Sequence, residues 1–554
     1  MDSLITGGGQ GNTYADRLLN LAGQISATLT QFCRTKSDGT VALIDPFERR
    51  VIGNHYALTH FGAALILSGL GQHDDGLVET GQGILRYFLA NQASYVKMID
   101  YHHDFNHFAL AFVSEKLEQS HGKDFSDLRR GINQVLLTTP DSHCQMVNWL
   151  PMRIYANRAR FHLTGEARYL RTARKLAARV RASAHRDGFF DDRLPRGGSF
   201  NPQYHTYTTA VTSLLPDLFQ DFDLEPAKRA VLACIDPEGD FNYFGRGCNQ
   251  IFGWGPYLYL LYTMGRAAEL EKALRYLEER LPAALQNGNI LLNGLPGAEK
   301  LGWWDYHYSS VYYSHLLFWL TITIYCFGFG QSSVTGAAGL PVAGDSGLRT
   351  YGNEECFCAV FDGRKHFLAE RGPMVCNLWL RGYGSLFKGP FGPYHRSGSK
   401  YLLPVNTLLN FCGPVKAETS SRFFKRGGLL YQAFLEQISD PGALRLSPIF
   451  PRSLAVAQDG GHLTKITYQT GGRADYFHLP VFKTAVTAGC MERIVVKAGD
   501  QAVELMRYGE LETLYGNMVL FQTRPRETGS YTLEIIGGGS PGQSSEASNC
   551  TSFS

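Results

Sequence analysis

Apolar residues recur at helical spacing between about residues 14 and 327. Leu18, Ala22, Ile25 and Leu29 are a clear example, because intervals of three or four place them on one helix face. Thr13, with Asp16 three residues later, predicts the start of this first helix through a capping box. Further helices are predicted at 56–70, 76–92, 105–119, 124–137, 148–164, 166–184, 206–219, 225–236, 250–264, 266–281 and 309–327.

Short Gly, Pro, Asp and Asn segments separate these helices, so successive helices are expected to pack as antiparallel hairpins. About twelve helices suffice for six hairpins arranged in a ring. The prediction for residues 1–327 is therefore an (α/α)6 toroid, complete or incomplete.

The pattern changes after a Gly, Ser and Ala-rich stretch, which predicts a linker at 328–348. Beyond it, short segments rich in β-branched and aromatic residues are bounded by Gly, Asp and Pro, as strands are. Residues 349–538 are thus predicted to form an antiparallel β-sandwich, and the Gly/Ser-rich tail at 539–554 is predicted to be disordered. The predicted strands include Glu355–Phe361, Thr464–Tyr468, Arg493–Val496 and Tyr531–Ile536.

Charge and composition narrow the classes of partner. A formal charge of +3 is too small to argue for nucleic acid or for an anionic membrane. Ten basic residues nevertheless lie between Arg153 and Arg186 at helical spacing, either as a solvated helix face or as a field that attracts a polyanion. The 12% aromatic content suits a carbohydrate cleft as well as a large core.

No segment indicates a membrane span, and residues 1–12 lack the features of a signal peptide. The expectation is a cytoplasmic protein as written, or a periplasmic or secreted one if a leader has been removed. The eleven cysteines show no metal-ligand spacing and read mostly as free thiols, and neither metal nor cofactor is expected. Nothing in the sequence indicates an oligomeric state.

The most informative motifs lie between Val147 and Leu215. Asn148 stands at a predicted helix start and is followed by a helical hairpin, Asp-Gly-Phe at 187–189, an arginine-bearing loop, and Tyr-His-Thr-Tyr at 204–207. This order resembles the toroid-type polysaccharide lyases, namely the alginate lyases, the chondroitin and hyaluronate lyases, and the heparinase II/III group. The resemblance implies cleavage of a uronic-acid-containing polysaccharide or oligosaccharide by β-elimination, without a metal.

The resemblance also implies residue roles. Asn148 would neutralise the uronate carboxylate, Tyr204 would be the catalytic tyrosine, and Arg196 would be the loop arginine that binds substrate. A Gly-Arg-Gly stretch similar to that of the chondroitin and hyaluronate lyases makes Arg246 catalytic, and a His-bearing loop similar to that of the heparinase group makes His395 substrate-binding.

One position departs from the pattern. Several of these families have histidine directly after the neutralising asparagine, but here Trp149 follows Asn148 and is assigned to substrate binding. Another histidine must then act, or none does, and His205 and His107 are preferred. The other candidates are His55, His60, His102, His103 and His307.

The chemistry explains the residue types. Removal of the C5 proton of a uronate requires stabilisation of the developing dianion, which Asn148 and an arginine would supply. Tyrosine acts as a base only where cations favour its phenolate, and the same phenol can protonate the leaving oxygen. Further rings are expected to bind sugar, and they are Tyr207, Trp303, Trp304, Tyr306 and His307.

Three alternatives remain open at this stage. A glycoside hydrolase on the same toroid would need two opposed carboxyl groups, for which Asp187, Asp191, Asp192 and Asp305 are available. A uronate C5-epimerase would share the proton abstraction and return the proton. A non-catalytic glycan-binding protein would keep the aromatic surfaces without needing Tyr204.

Overall fold

The three-dimensional structure is a computed structural model. It describes residues 9–46, 48–98, 100–120, 124–192, 201–245, 250–285, 308–330, 347–352, 354–361, 374–389, 392–396, 454–459, 462–470, 472, 474–513 and 516–536.

Twelve helices of the described chain form the N-terminal part. They are α1 (Gly9–Thr30), α2 (Ala57–Gln72), α3 (Asp75–Tyr95), α4 (His103–Glu118), α5 (Ser126–Thr138), α6 (Leu150–Thr164), α7 (Ala167–Ser183), α8 (Pro202–Ser213), α9 (Glu225–Ala233), α10 (Trp254–Thr263), α11 (Ala267–Ala284) and α12 (Ser309–Cys326). A two-stranded ribbon of β1 (Cys33–Thr35) and β2 (Val41–Leu43) follows α1.

The even-numbered helices close into a ring. In turn, α2 packs on α4, α4 on α6, α6 on α8, α8 on α10, α10 on α12, and α12 returns to α2. The odd-numbered helices lie outside, each against an inner neighbour, with α1 against α12. The predicted (α/α)6 toroid is confirmed, and it is complete. Among the described residues, no helix has both the length and the apolar composition needed to cross a membrane.

Several helix starts differ from the prediction, among them α10, which begins at Trp254 and not at residue 250. Helix α1 begins at Gly9, ahead of the capping box predicted at Thr13. Helix α8 begins at Pro202 and not at residue 206, because the Asn201 side chain caps it by accepting from the backbone N–H groups of Gln203 and Tyr204. This earlier start places Tyr204 in the first turn of an inner helix.

Aromatic side chains fill the middle of the ring. Tyr56 stacks on Phe105 at 4.4 Å between ring centroids, Phe105 stacks on Tyr207 at 5.6 Å, and Phe252 stacks on His315 at 4.4 Å. All five side chains are buried. Because these rings come from five different inner helices or their N-terminal turns, they tie the ring together and form a floor below the helix N-termini.

The C-terminal part is built from antiparallel sheets. One has the order β3-β4-β5-β6, a second β12-β11-β16-β9-β8, and a third β13-β14-β10-β15 with β7 also paired to β10. A five-residue helix, α13 (Lys483–Thr487), follows β10. The strands are β3 (Leu348–Gly352), β4 (Cys356–Phe361), β5 (Met374–Leu380), β6 (Gly384–Lys388), β7 (Tyr394–Arg396), β8 (Leu454–Asp459), β9 (His462–Gln469), β10 (Ala474–Phe482), β11 (Ile494–Ala498), β12 (Gln501–Val503), β13 (Met506–Thr513), β14 (Gly516–Gln522), β15 (Arg526–Glu527) and β16 (Ser530–Ile535).

Strand β4 shows how the two parts share their cores. Alternate side chains of a strand point to opposite faces. One set packs into the toroid core, and comprises Phe357, Ala359 and Phe361. The other set packs into the core between the sheets, and comprises Cys356, Cys358 and Val360. Both faces of β4 are therefore buried, and the sheet joins the two cores directly. The predicted boundaries at 327 and 348 stay a prediction, since residues 331–346 lie outside the described chain.

Lys388 of β6 is the main polar connection between the sheets and the toroid. Its ammonium is buried, 2.9 Å from Asp236 Oδ2 and 3.1 Å from Asp240 Oδ2. Glu238 Oε2 lies 3.0 Å away and also accepts from the Ser385 hydroxyl, while Glu238 Oε1 accepts from the Ser385 backbone N–H. A lysine surrounded by three carboxylates remains charged, so it holds the β3–β6 sheet on the toroid.

The pKa values of two carboxyl groups in this cluster shift in opposite directions. Burial raises the pKa of Asp236 to about 6, against the opposing effect of the Lys388 ammonium. Burial alone would also raise the pKa of Glu238, but Lys388 and the donors of Ser385 lower it to about 2. Asp236 is fully buried and lies near the carboxylates of Glu238 and Asp240, which add to the rise, whereas the hydrogen bonds from Ser385 stabilise the charged form of Glu238.

Replacement of Lys388 by methionine should lower the free energy of unfolding by about 3–5 kcal/mol, since it leaves buried carboxylates without their ammonium. The loss of stability should be larger at about pH 7 than at about pH 5. Without the ammonium, the pKa of the buried carboxyls rises further in the folded variant, and a raised pKa in the folded state means that folding becomes less favourable as the pH rises through that pKa. Urea denaturation at both pH values measures this effect.

The matched control is Lys497→Met, which removes a lysine 2.7 Å from Glu534 at the surface. It should cost less than about 1 kcal/mol. Equal losses for the two variants would show that the Lys388 cluster does not hold the sheets on the toroid.

Candidate functional site

The N-terminal ends of inner helices meet at one end of the ring, which we call the rim. There the His55 ring lies 4.0 Å from the His102 ring and 4.7 Å from the Tyr308 ring. The His102 ring is in turn 5.1 Å from Trp149. These four residues precede α2, α4, α6 and α12, so the rim brings together side chains that are far apart in sequence.

Backbone carbonyls orient His102. Its Nδ1 lies 2.7 Å from the carbonyl oxygen of Asp100 and 3.3 Å from that of Asn54. Because carbonyl oxygens only accept hydrogen bonds, Nδ1 carries the hydrogen, and in neutral imidazole Nε2 then carries the lone pair. Asp100 itself has a φ of 57°, a left-handed conformation that aspartate tolerates better than most residues.

Asn106 fixes the chain segments that carry the rim histidines. Its Nδ2 donates to the carbonyl oxygens of His102, at 2.9 Å, and of His55, at 3.3 Å. Its Oδ1 accepts from the Thr59 hydroxyl at 2.8 Å. One buried amide thus joins the starts of α2 and α4, which holds both imidazoles in place.

Asn148 lies in a single 3-10 turn, Val147–Trp149, that leads into α6. The residue is buried, and among the described residues no donor lies within hydrogen-bond distance of its Oδ1. The turn contacts α8, and its Trp149 contacts His102. A buried amide oxygen without a partner is costly, so Oδ1 of Asn148 is suited to accept a hydrogen bond from a group that enters at the rim.

A second set of contacts relates His102 to Tyr204. Phe105 and Tyr207 stack inside the ring, and each comes three residues after one of these two side chains. Tyr204 therefore lies about one turn before Tyr207 on α8, and His102, the residue that precedes α4, lies just before the turn that carries Phe105. The turn that carries Asn148 contacts α8, and its Trp149 contacts His102.

A buried ion pair positions the loop that leads to Asn148. The Arg153 guanidinium on α6 lies 2.7 Å from Asp104 Oδ2, and it also donates to the Cys144 carbonyl at 3.0 Å. The Ser142 hydroxyl donates to the same carboxylate at 2.6 Å. Two turns further along α6, Arg160 lies 2.5 Å from Asp141. The sequence leaves open whether these arginines form a solvated helix face or a field that attracts a polyanion. In the structure they hold residues 139–146 against α4 and α6.

His205 and His107 are placed differently from what the sequence suggests. Both ring nitrogens of His205 are used by backbone groups: Nδ1 accepts from the Phe190 N–H and Nε2 donates to the Ala227 carbonyl. Burial lowers the pKa of His205 to about 3. His107 is buried against Arg160, and burial together with that guanidinium lowers its pKa well below the usual range. Neither environment suits an acid or base, and we propose structural roles for both.

Two further histidines lie in the floor of the ring. Burial lowers the pKa of His60 to about 3 and holds that of His315 well below its usual range. Tyr207, predicted to bind sugar, is fully buried in the same floor, with its hydroxyl 2.9 Å from Met152 Sδ. These residues support the rim from below.

Several predicted site residues lie outside the described chain, and they are Arg196, Arg246, Trp303, Trp304, Tyr306 and His307. His395 lies on β7, whose backbone pairs with β10 opposite Phe477. Gly245 can be placed, because a Cβ there would come 3.2 Å from Asn201 Nδ2, so the chain before residue 246 lies against the start of α8.

Some of the carboxylates considered for a hydrolase lie in the described part of the chain. Asp191 lies 3.2 Å from His185 Nε2, and both Asp191 and Asp192 are buried. The backbone carbonyl of Asp192 accepts from the Val147 N–H at 2.8 Å, which ties this segment to the Asn148 turn. Asp305 lies outside the described residues.

No family model matches the chain, and no curated protein matches it. Among solved structures, an alpha-1,6-mannanase from Salegentibacter sp. is 10% identical, covering 56% of this chain and 98% of its own, with a TM-score of 0.37. A polysaccharide lyase is 12% identical, covering 57% and 98%, with a TM-score of 0.36. A possible GH105 family member from Salmonella enterica serovar Paratyphi A is 14% identical, covering 56% and 94%, with a TM-score of 0.35. TM-scores this low carry no argument about the chain, and its ring rests on the helix contacts above.

Arg153→Met should lower the free energy of unfolding by about 3–5 kcal/mol, because Asp104 is left buried and charged. Adding Asp104→Leu to Arg153→Met should recover much of this loss, since an apolar pair replaces a buried charge. Urea denaturation of both single variants and the double variant measures the coupling. Losses that simply add would show that the two side chains act independently.

Proposed function

We propose that the chain is a carbohydrate-active enzyme, and specifically a polysaccharide lyase that cleaves a uronic-acid-containing polymer by β-elimination at the rim. The observation that supports the proposal is the Phe105–Tyr207 stack, because His102 and Tyr204 each stand three residues before one of these rings, and the turn that carries Asn148 contacts both α8 and His102. A base, an acid and a carboxylate-binding amide are the groups that this reaction needs.

Each group has one step in the proposed reaction. The Asn148 amide donates from Nδ2 to the uronate carboxylate, which takes up charge as the C5–H bond weakens. His102 Nε2 accepts the C5 proton, and the C5–H electrons form the double bond between C4 and C5. The bond from C4 to the glycosidic oxygen breaks, and the Tyr204 hydroxyl protonates that oxygen.

In the proposed site, His102 takes the place of the histidine that the lyase pattern has at the position of Trp149. The lyase pattern has histidine directly after the asparagine, where this chain has tryptophan, but the Trp149 ring is packed 5.1 Å from the His102 ring. An imidazole from α4 is therefore held beside the position that the pattern assigns to α6. Since its Nδ1 donates to backbone carbonyls, Nε2 is the basic nitrogen of the neutral ring.

Tyr204→Phe should reduce elimination by about 10²–10⁴-fold, because the leaving oxygen loses its proton donor. Alginate, hyaluronan, chondroitin, heparan and glucuronan are each incubated with the enzyme, and ultraviolet absorbance detects the conjugated double bond. The matched control is Tyr259→Phe on α10, which removes a buried hydroxyl bonded to Ser213 and should leave the rate unchanged.

The same assay separates the alternatives. New reducing ends without absorbance would indicate a hydrolase and overturn the elimination. Exchange of the C5 proton with solvent, without cleavage, would indicate an epimerase. Binding without either reaction would indicate a glycan-binding protein.

His102→Gln should also lower the rate by about 10²–10⁴-fold, and it should remove the acidic limb of the pH profile of kcat/KM, which reports protonation of the base. The control is His162→Gln, an exposed histidine near the C-terminal end of α6. A variant that keeps the wild-type acidic limb would show that another group takes the proton.

A further inference from the structure

Helix α7, on the outside of the ring, has a strongly basic face. The helix carries six basic residues and no acidic one, and they are Arg168, Arg171, Arg174, Lys175, Arg179 and Arg181. Six positive charges exceed the formal net charge of +3 for the whole chain, so the rest of the chain is net acidic. The concentration on α7 is therefore a local feature.

Packing directs these side chains outward. The inner side of α7 is buried and consists of Ala173, Leu176, Ala177, Val180 and Ser183. Arg171, Arg174 and Lys175 are exposed, and within the described chain no carboxylate forms an ion pair with any of them. Arg168 is paired with Glu166 at 2.8 Å, but its side chain is 63% exposed.

This arrangement does not favour the helix itself. Arg171 lies three residues from Arg174 and four from Lys175, and like charges at these spacings destabilise an isolated helix by mutual repulsion. Arg168 also places a positive charge in the first turn, where the helix dipole favours a negative one. A polyanion laid along the helix would relieve both effects.

The basic face ends at the candidate site. Arg179 near its C-terminal end donates to the side chain of Gln145, in the loop that leads to Asn148. Beyond the helix, the Asp191 N–H donates to the Ser183 carbonyl, and the next residue, Asp192, accepts from the Val147 N–H. The charged surface thus runs along the outer wall of the ring and reaches the segments that hold Asn148.

We infer that the outer face of α7 binds an anionic polysaccharide and guides it to the rim, an inference that rests on the proposed function for its choice of polymer. Arg168 and Arg179 are eleven residues apart, which is about 16 Å along a helix. That span exceeds a single sugar unit, so the surface is suited to a polymer chain that lies along the helix.

The test replaces Arg171, Arg174 and Lys175 together by alanine. Binding of alginate, hyaluronan, chondroitin, heparan and glucuronan is measured at low salt in the Tyr204→Phe background, so that cleavage does not interfere. The polymer that binds tightest should bind at least about tenfold more weakly to the triple variant, and the difference should shrink as salt is added. With active enzyme, KM should rise for that polymer while kcat, and the kinetics of a short oligosaccharide, stay unchanged.

The matched control removes the same charge from three other outer helices. Arg86, Arg130 and Arg275 are exposed on α3, α5 and α11, and their replacement by alanine should leave polymer binding unchanged. An equal loss in the control would overturn the inference, because net charge and not α7 would then govern binding.

The remaining outcomes separate this inference from the proposed function. If a uronate polymer binds through α7 and the wild-type enzyme produces no double bond, the surface stands and the lyase fails. Unchanged binding in the triple variant, or no binding of any of the five polymers, overturns the inference. Tighter binding of DNA than of every uronate polymer, lost in the triple variant, overturns it in favour of nucleic acid.

Discussion

Closure of the helical ring is the constraint on which the candidate site depends. The rim exists because α12, the last inner helix, packs against α2, the first, and brings Tyr308 within 4.7 Å of His55. Phe105 and Tyr207 meet in the same way through the middle of the ring. An open arc of the same helices would keep each hairpin but would not bring these ends together, and no single helix carries enough groups for acid–base chemistry.

The interior of the ring is apolar and aromatic, so charged groups lie where segments join. Arg153 and Asp104 hold the loop before Asn148, and Lys388 holds the β3–β6 sheet on the toroid. Buried ion pairs add little net stability compared with apolar packing, but a misplaced one is costly. These pairs therefore define which arrangement of loop and sheet is allowed, while the aromatic floor supplies the burial that stabilises it.

Much of the helical part follows from local signals, and the site does not. A 3.6-residue period is visible in any amphipathic helix, so the twelve helices could be predicted from sequence. The predicted start of α8 is wrong because Asn201 forms the cap and Pro202 the first turn. His205 is next to Tyr204 in sequence, yet adjacent residues point about 100° apart on a helix, so it faces Phe190 and Ala227. Only the fold shows that His102, about a hundred positions earlier, lies against Trp149, the residue after Asn148.

The lyase motif has its histidine at the position of Trp149, but in the proposed site the histidine is His102, which packs against Trp149. A histidine after Asn148 would take its orientation from the short turn before α6, which contacts α8. His102 instead takes its orientation from the Asp100 and Asn54 carbonyls and from the Asn106 amide, a set of bonds made before any substrate enters. Trp149 packs beside the imidazole, with 5.1 Å between the ring centroids. In the proposed elimination, preorganisation of this kind would serve proton abstraction from carbon, because a base must already point at a weak acid when the polymer arrives.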